Sequence, residues 1–95
     1  MTDRQFYVAI YDVGDDRRRA RLARLLLRYG DRVQKSAFQL WVDTSQLELI
    51  IRTCREFLDS SEDVLHLYPL CKRCRESAVF LGRGQILPRR QDVVV

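Results

Sequence analysis

The order of elements in this 95-residue chain predicts an α+β fold, one antiparallel sheet with both helices on a single face. Two observations carry that prediction. Strand-like alternation at residues 5–13 and 32–43 is followed each time by a stretch with helical apolar spacing. A shorter apolar run then ends at Pro69 and Leu70, giving strands and helices in the order βαβ, α, ββ.

The first strand places Phe6, Val8 and Ile10 on one side and Tyr7, Ala9 and Tyr11 on the other, then delivers Asp12 into a short glycine loop. Asp15 and Asp16 open a helix of about four turns at its positive end. Leu22, Leu25, Leu26 and Tyr29 form its core face, and Gly30 stands where a C-terminal glycine stop belongs. Residues 32–43 are extended, with Phe38, Leu40 and Val42 on one side and Ala37 and Trp41 on the other. Ser45 and Glu48 read as a capping box, and Leu47, Ile50, Ile51, Cys54, Phe57 and Leu58 make the stripe of the second helix.

A polar turn at Asp59–Asp63 precedes the strand Val64–Leu70, which Pro69 marks as an edge or a strand end. A cysteine-bearing loop, a short strand near Ala78–Leu81 and a Gly82-Arg83-Gly84 turn are expected next. Gln85–Pro88 and Asp92–Val95 look strand-like without an evident partner in the chain. The sheet face away from the helices is expected to carry Tyr7, Tyr11 and Trp41. An aromatic face of that kind and an orphan C-terminal strand predict a homodimer.

Length allows one domain with a modest core. The apolar fraction of 46% excludes a disordered chain, and no run approaches the roughly 20 apolar residues of a membrane span. The N-terminus enters a strand almost at once, so no secretory signal is expected. Three cysteines give no disulfide framework and predict a reducing, cytoplasmic home.

Seventeen basic residues oppose thirteen acidic ones, and fifteen of the seventeen are arginine, whose planar fork suits phosphate. On the first helix Arg17, Arg21, Arg24 and Arg28 fall in one stripe about 16 Å long. Such a stripe is either a comb of phosphate contacts or a solvated outer face. Arg19 lies nearer the core edge, beside the loop that holds Asp12.

Asp12 either caps that loop or helix, or holds a metal. A single carboxylate does not suffice for Mg2+, but Asp12 with its symmetry mate across a dimer would. The ion would then orient a water and stabilise charge on a phosphodiester. His66, the only histidine, reads as a packing or surface residue. Cys71-Lys72-Arg73-Cys74 lacks convincing further zinc ligands in Cys54 and His66. It follows a strand and proline with no recognisable helix after it, so the reading is reduced structural thiols rather than a thioredoxin-like motif.

Three motifs occur in order: Tyr11-Asp12-Val13 with Asp15-Asp16 and arginines, Tyr29-Gly30 leading to Arg32 through Phe38, and Tyr68-Pro69-Leu70-Cys71-Lys72-Arg73-Cys74 before Gly82. With them, residues 6 to about 87 resemble the small CRISPR-associated Cas-two family, the non-integrase partner in spacer acquisition. The resemblance implies a ferredoxin-like βαββαβ fold over residues 1–87 and a homodimer in which a final strand adds to the partner's sheet. It also implies a magnesium site between the two Asp12 side chains and nuclease activity in some members on RNA or duplex DNA. Tyr11, Asp12, Arg19, Arg21, Arg32, Ser36 and Phe38 match its functional positions, with arginines approaching phosphate and Phe38 shaping the cleft. The fold requires a strand pair within 32–43, where a kink near Ser36–Ala37 must serve as the turn.

Residues 88–95 fall outside the shared pattern and form a tail, a candidate integrase-docking segment. Two functions follow. One is a magnesium-dependent endonuclease with Asp12 on the metal and Arg19, Arg21 and Arg32 steering phosphate. The other is a non-catalytic dimeric bridge that grips duplex DNA and spaces integrase subunits.

Overall fold

The computed structural model describes residues 4–82. Its elements are β1 (Gln5–Asp12), α1 (Asp16–Leu27), β2 (Gly30–Gln34), β3 (Ala37–Val42), α2 (Thr44–Phe57), β4 (Val64–Pro69) and α3 (Lys72–Glu76). The sheet runs β2-β3-β1-β4 with every neighbouring pair antiparallel, so β1 and β3 are central and β4, carrying Pro69, is an edge. With α1 and α2 over one face, this is the expected ferredoxin-like arrangement. The strand proposed within Gln85–Val95 and the tail 88–95 lie outside the described residues.

The core joins Leu22, Ala23 and Leu26 of α1 and Ile50 and Cys54 of α2 to Ala9, Tyr11, Phe38, Leu40 and Val42 of the sheet. Burying each large member of that set contributes about 1.5–3 kcal/mol. Here the expected strand faces need correction. Pairing sets Tyr7 opposite Leu40 and Ala9 opposite Phe38, so the odd residues of β1 lie beneath the helices. Tyr7 and Tyr11 therefore belong to the helix side, and Phe6, Val8 and Ile10 share the outer face with Trp41. Ranking side chains by apolarity pointed the other way, yet the small Ala9 lets the helix layer close over the sheet, and Tyr11 can bury its ring while its hydroxyl finds polar partners.

Four further elements differ from expectation. The capping box of α2 uses Asp43 and Gln46 rather than Ser45 and Glu48: Gln46 N donates to Asp43 Oδ1 at 2.8 Å, and Asp43 N donates to Gln46 Oε1 at 3.0 Å. Because β3 ends at Val42, the cap falls two residues earlier, and an aspartate accepts there more strongly than a serine. Gly30 is the first residue of β2, not a left-handed helix stop; among the described residues only Gly82 has positive φ. Residues 78–81 form no strand, and Cys71 stands at the N-cap of the short helix α3. The turn in the extended segment falls at Lys35–Ser36, next to the expected kink. No residue there has positive φ, and a register shift between Arg32 and Gln34 takes up the mismatch of such a turn with strand twist.

Arg18 of α1 fastens the α2–β4 turn. Its Nε and Nη2 donate to Asp63 Oδ2 and Oδ1 at 2.7 and 3.3 Å, and Asp63 also accepts the Asp59 N–H at 2.8 Å. The Arg18 guanidinium, then the Asp59 amide, hold the Asp63 carboxyl below the usual carboxylate range. A depressed folded-state pKa adds stability above the unfolded-state value of about 3.9, and that stability is lost as pH falls through the lower folded value. Melting temperature followed from about pH 6 to about pH 2 is therefore expected to fall less steeply in Asp63→Asn than in wild type. Parallel curves would show that the pair contributes nothing to acid sensitivity.

Candidate nucleic-acid and metal site

Asp12 ends β1 with its side chain exposed, on the outer sheet face with Ile10 and the cross-strand Val64. Val13 is buried and pins the loop that follows, and Asp15 caps α1 by accepting the Arg18 N–H at 2.9 Å. From the first turn of α1, Arg19 reaches back over this loop. Its Nη1 donates to the Val13 and Gly14 carbonyl oxygens at 3.0 and 3.3 Å, and its Nη2 pairs with Asp16. Arg19 thus fixes the backbone immediately after Asp12, as well as bringing charge near it.

The opposite wall is the β2–β3 hairpin. The Tyr11 ring is buried at 3% exposure, and its hydroxyl donates to the Lys35 carbonyl at 3.4 Å. Arg32 Nη2 approaches that hydroxyl at 3.5 Å, and its guanidinium lies 5.3 Å from the centroid of Phe38. Phe38 is itself fully buried, so it forms the floor beneath Arg32 and Tyr11 and not a wall.

Between loop and hairpin opens a cleft of about 810 Å³, which brings together Tyr11, Asp12, Arg19, Arg32 and Ser36 of the expected residues. It also includes Lys35 and Asp16. Asp16 is engaged by Arg19, whereas the Asp12 side chain makes no hydrogen bond or ion pair among the described residues. The cleft is therefore lined by an unpaired carboxylate and by the cations of Arg32 and Lys35. Lys35 was not singled out because its position depends on where the hairpin turns, and no turn residue marks that place.

Arg17, Arg21, Arg24 and Arg28 lie apart from this cleft. Arg21, Arg24 and Arg28 border a groove between α1 and α2, where the Arg21 guanidinium stacks 4.5 Å from the Phe57 ring centroid. Arg17 is exposed near the start of α1. Among the described residues none of the four forms a salt bridge.

Residues 5–78 match the family model described as CRISPR associated protein Cas2. The chain belongs to the Cas2 family. A curated relative in Thermus thermophilus, CRISPR-associated endonuclease Cas2 2, is 43% identical over 92 residues and is covered to 97%, as is this chain. Another in Archaeoglobus fulgidus, CRISPR-associated endoribonuclease Cas2 1, is 37% identical over 80% of this chain and 82% of its own length. A chain of the solved structure described as a partial Cas6-RT-Cas1–Cas2 complex matches with TM-score 0.70 and 30% identity, over 90% of this chain and 99% of that one. Members of the Cas2 family are thus named for cleavage and are found in a Cas1–Cas2 assembly. Among the described residues no helix is long and apolar enough to cross a membrane.

Proposed function

We propose that this chain is a homodimeric, magnesium-dependent endonuclease that hydrolyses RNA or DNA phosphodiesters and works with the CRISPR integrase in spacer acquisition. The observation that carries the reading is the Asp12 carboxylate, without a side-chain partner among the described residues, lining one cleft together with Arg32 and Lys35. A magnesium ion takes one or two carboxylates with waters and phosphate oxygens, and among the described residues no cluster of three metal-binding side chains exists within one chain. Asp12 fits as the protein's contribution from each of two subunits. It lies on the outer sheet face, where Ile10, Val64 and Tyr68 are left exposed for a second copy to cover.

When bound, the ion supplies an oriented water and stabilisation of charge developing on the phosphodiester. The rest falls to side chains. Arg32 and Lys35 hold phosphate on the hairpin side, and Arg19 keeps the Val13–Gly14 backbone still so that Asp12 is presented in one position. Tyr11 and Phe38 prop the Arg32 guanidinium from below.

A second reading has its own support. The arginine stripe on α1 does not serve the cleft, and a matched solved structure is of a Cas1–Cas2 assembly. A dimer that grips duplex DNA through Arg17, Arg21, Arg24 and Arg28 and spaces integrase subunits would use it. The test assays labelled RNA, single-stranded DNA and duplex DNA for cleavage with magnesium and with a chelator, and measures duplex affinity against salt. Cleavage is expected only with the metal, while duplex binding survives chelation. Charge reversal of the four arginines is expected to flatten the salt slope by about 3.6 for each subunit that contacts the duplex. Absence of cleavage across metals and pH would remove the nuclease and leave the bridge; an unchanged slope would remove the stripe from DNA binding.

A further inference from the structure

Cys71 stands at the N-cap of α3 and Cys74 three residues later, with their Sγ atoms 3.6 Å apart. Both are exposed, whereas Cys54 is buried. The helix that holds them is docked, because Arg75 stacks its guanidinium 4.6 Å from the Trp41 ring centroid and 5.3 Å from that of Phe6. Lys72, Arg73 and Arg75 flank the pair in sequence with positive charge, which favours a thiolate. The two thiols are also unequal. Hydrogen bonds from the Cys74 backbone and then its thiol hold Cys71 below the usual thiol range, while the same side-chain contact raises Cys74.

We propose that Cys71 and Cys74 are a redox-active dithiol that exchanges with a small-molecule disulfide, Cys71 attacking and Cys74 resolving. In the first step the Cys71 thiolate bonds to one sulfur of the disulfide, whose S–S bond breaks and releases one thiolate. Cys74 then gives its proton to solvent and attacks Cys71 Sγ, forming the internal disulfide and expelling the second thiolate. The protein is oxidised by two electrons, and one disulfide becomes two thiols. A bond across residues three apart closes too short a loop to restrict the unfolded chain greatly, so exchange rather than stapling is its use. Cys54 takes no part: burial pushes its thiol up to about 11.

The test equilibrates wild-type protein in glutathione buffers from fully reduced to fully oxidised, blocks free thiols with a maleimide and weighs the intact chain. A form that has lost two hydrogens, keeps one blockable thiol after unfolding and reverts with dithiothreitol is expected. Cys74→Ser is expected to trap a glutathione adduct at Cys71 at least about tenfold faster than Cys71→Ser traps one at Cys74. Wild type that keeps all three thiols throughout, or collects only stable glutathione adducts, overturns the proposal. Equal trapping by the two variants overturns the assignment of Cys71 as the attacking thiol.

Discussion

Asp12→Asn is expected to lower magnesium-dependent cleavage at least about 100-fold, an increase of roughly 2.7 kcal/mol in the barrier, with the fold intact. The exchange removes charge and little else. Asp12 is exposed and its side chain makes no hydrogen bond or ion pair among the described residues, so asparagine leaves no broken network behind. Its melting temperature should stay within about 3 °C of wild type, as for an ordinary surface substitution. A dimer offers a second readout. In the proposed dimer two facing Asp12 carboxylates would repel until a cation joined them, so magnesium should strengthen the wild-type dimer and leave the variant's dimer unchanged. Equal cleavage by both proteins would take Asp12 out of the chemistry, and equal magnesium response of both dimers would take it off the metal.

The charged site was more legible in the sequence than the layer beneath it. Asp12 and Arg19 are seven positions apart, so a strand end followed by a capped helix nearly forces them together. Arg32 and Ser36 reach the cleft only through the pairing of β2 with β3 and of β3 with β1, and they were carried by family resemblance. What misled was parity. Phe6, Val8 and Ile10 are more apolar than Tyr7, Ala9 and Tyr11, but the small Ala9 is fully buried beneath the helices, and one-residue alternation then turns every neighbour over. The arginines behaved likewise. Arg17, Arg18 and Arg19 are equal in composition, yet Arg18 ties down Asp63, Arg19 holds the loop and Arg17 stays exposed. Which arginine meets which carboxylate depends on where the α2–β4 turn arrives, and the sequence of α1 does not contain that information.

Gly30 separates two explanations of one residue, and its replacement is expected to be the most damaging single change to the fold. A Cβ at position 30 would lie 1.7 Å from the Gln39 carbonyl oxygen, which belongs to the central strand β3 and has no room to retreat. Gly30→Ala should therefore cost about 3 kcal/mol or more and lower the melting temperature by roughly 12 °C or more. The damage should reach the cleft, because β2 carries Arg32 and leads into Lys35 and Ser36. Weaker substrate binding, read as a raised KM, is expected alongside the lost stability. Asparagine decides the cause. A glycine needed for a left-handed helix stop tolerates asparagine better than alanine, since asparagine enters that conformation more readily. A glycine needed for close strand approach does not, and the larger side chain should be at least as harmful as alanine. Gly30→Asn milder than Gly30→Ala, or an alanine variant melting within about 2 °C of wild type, would overturn the close-approach account.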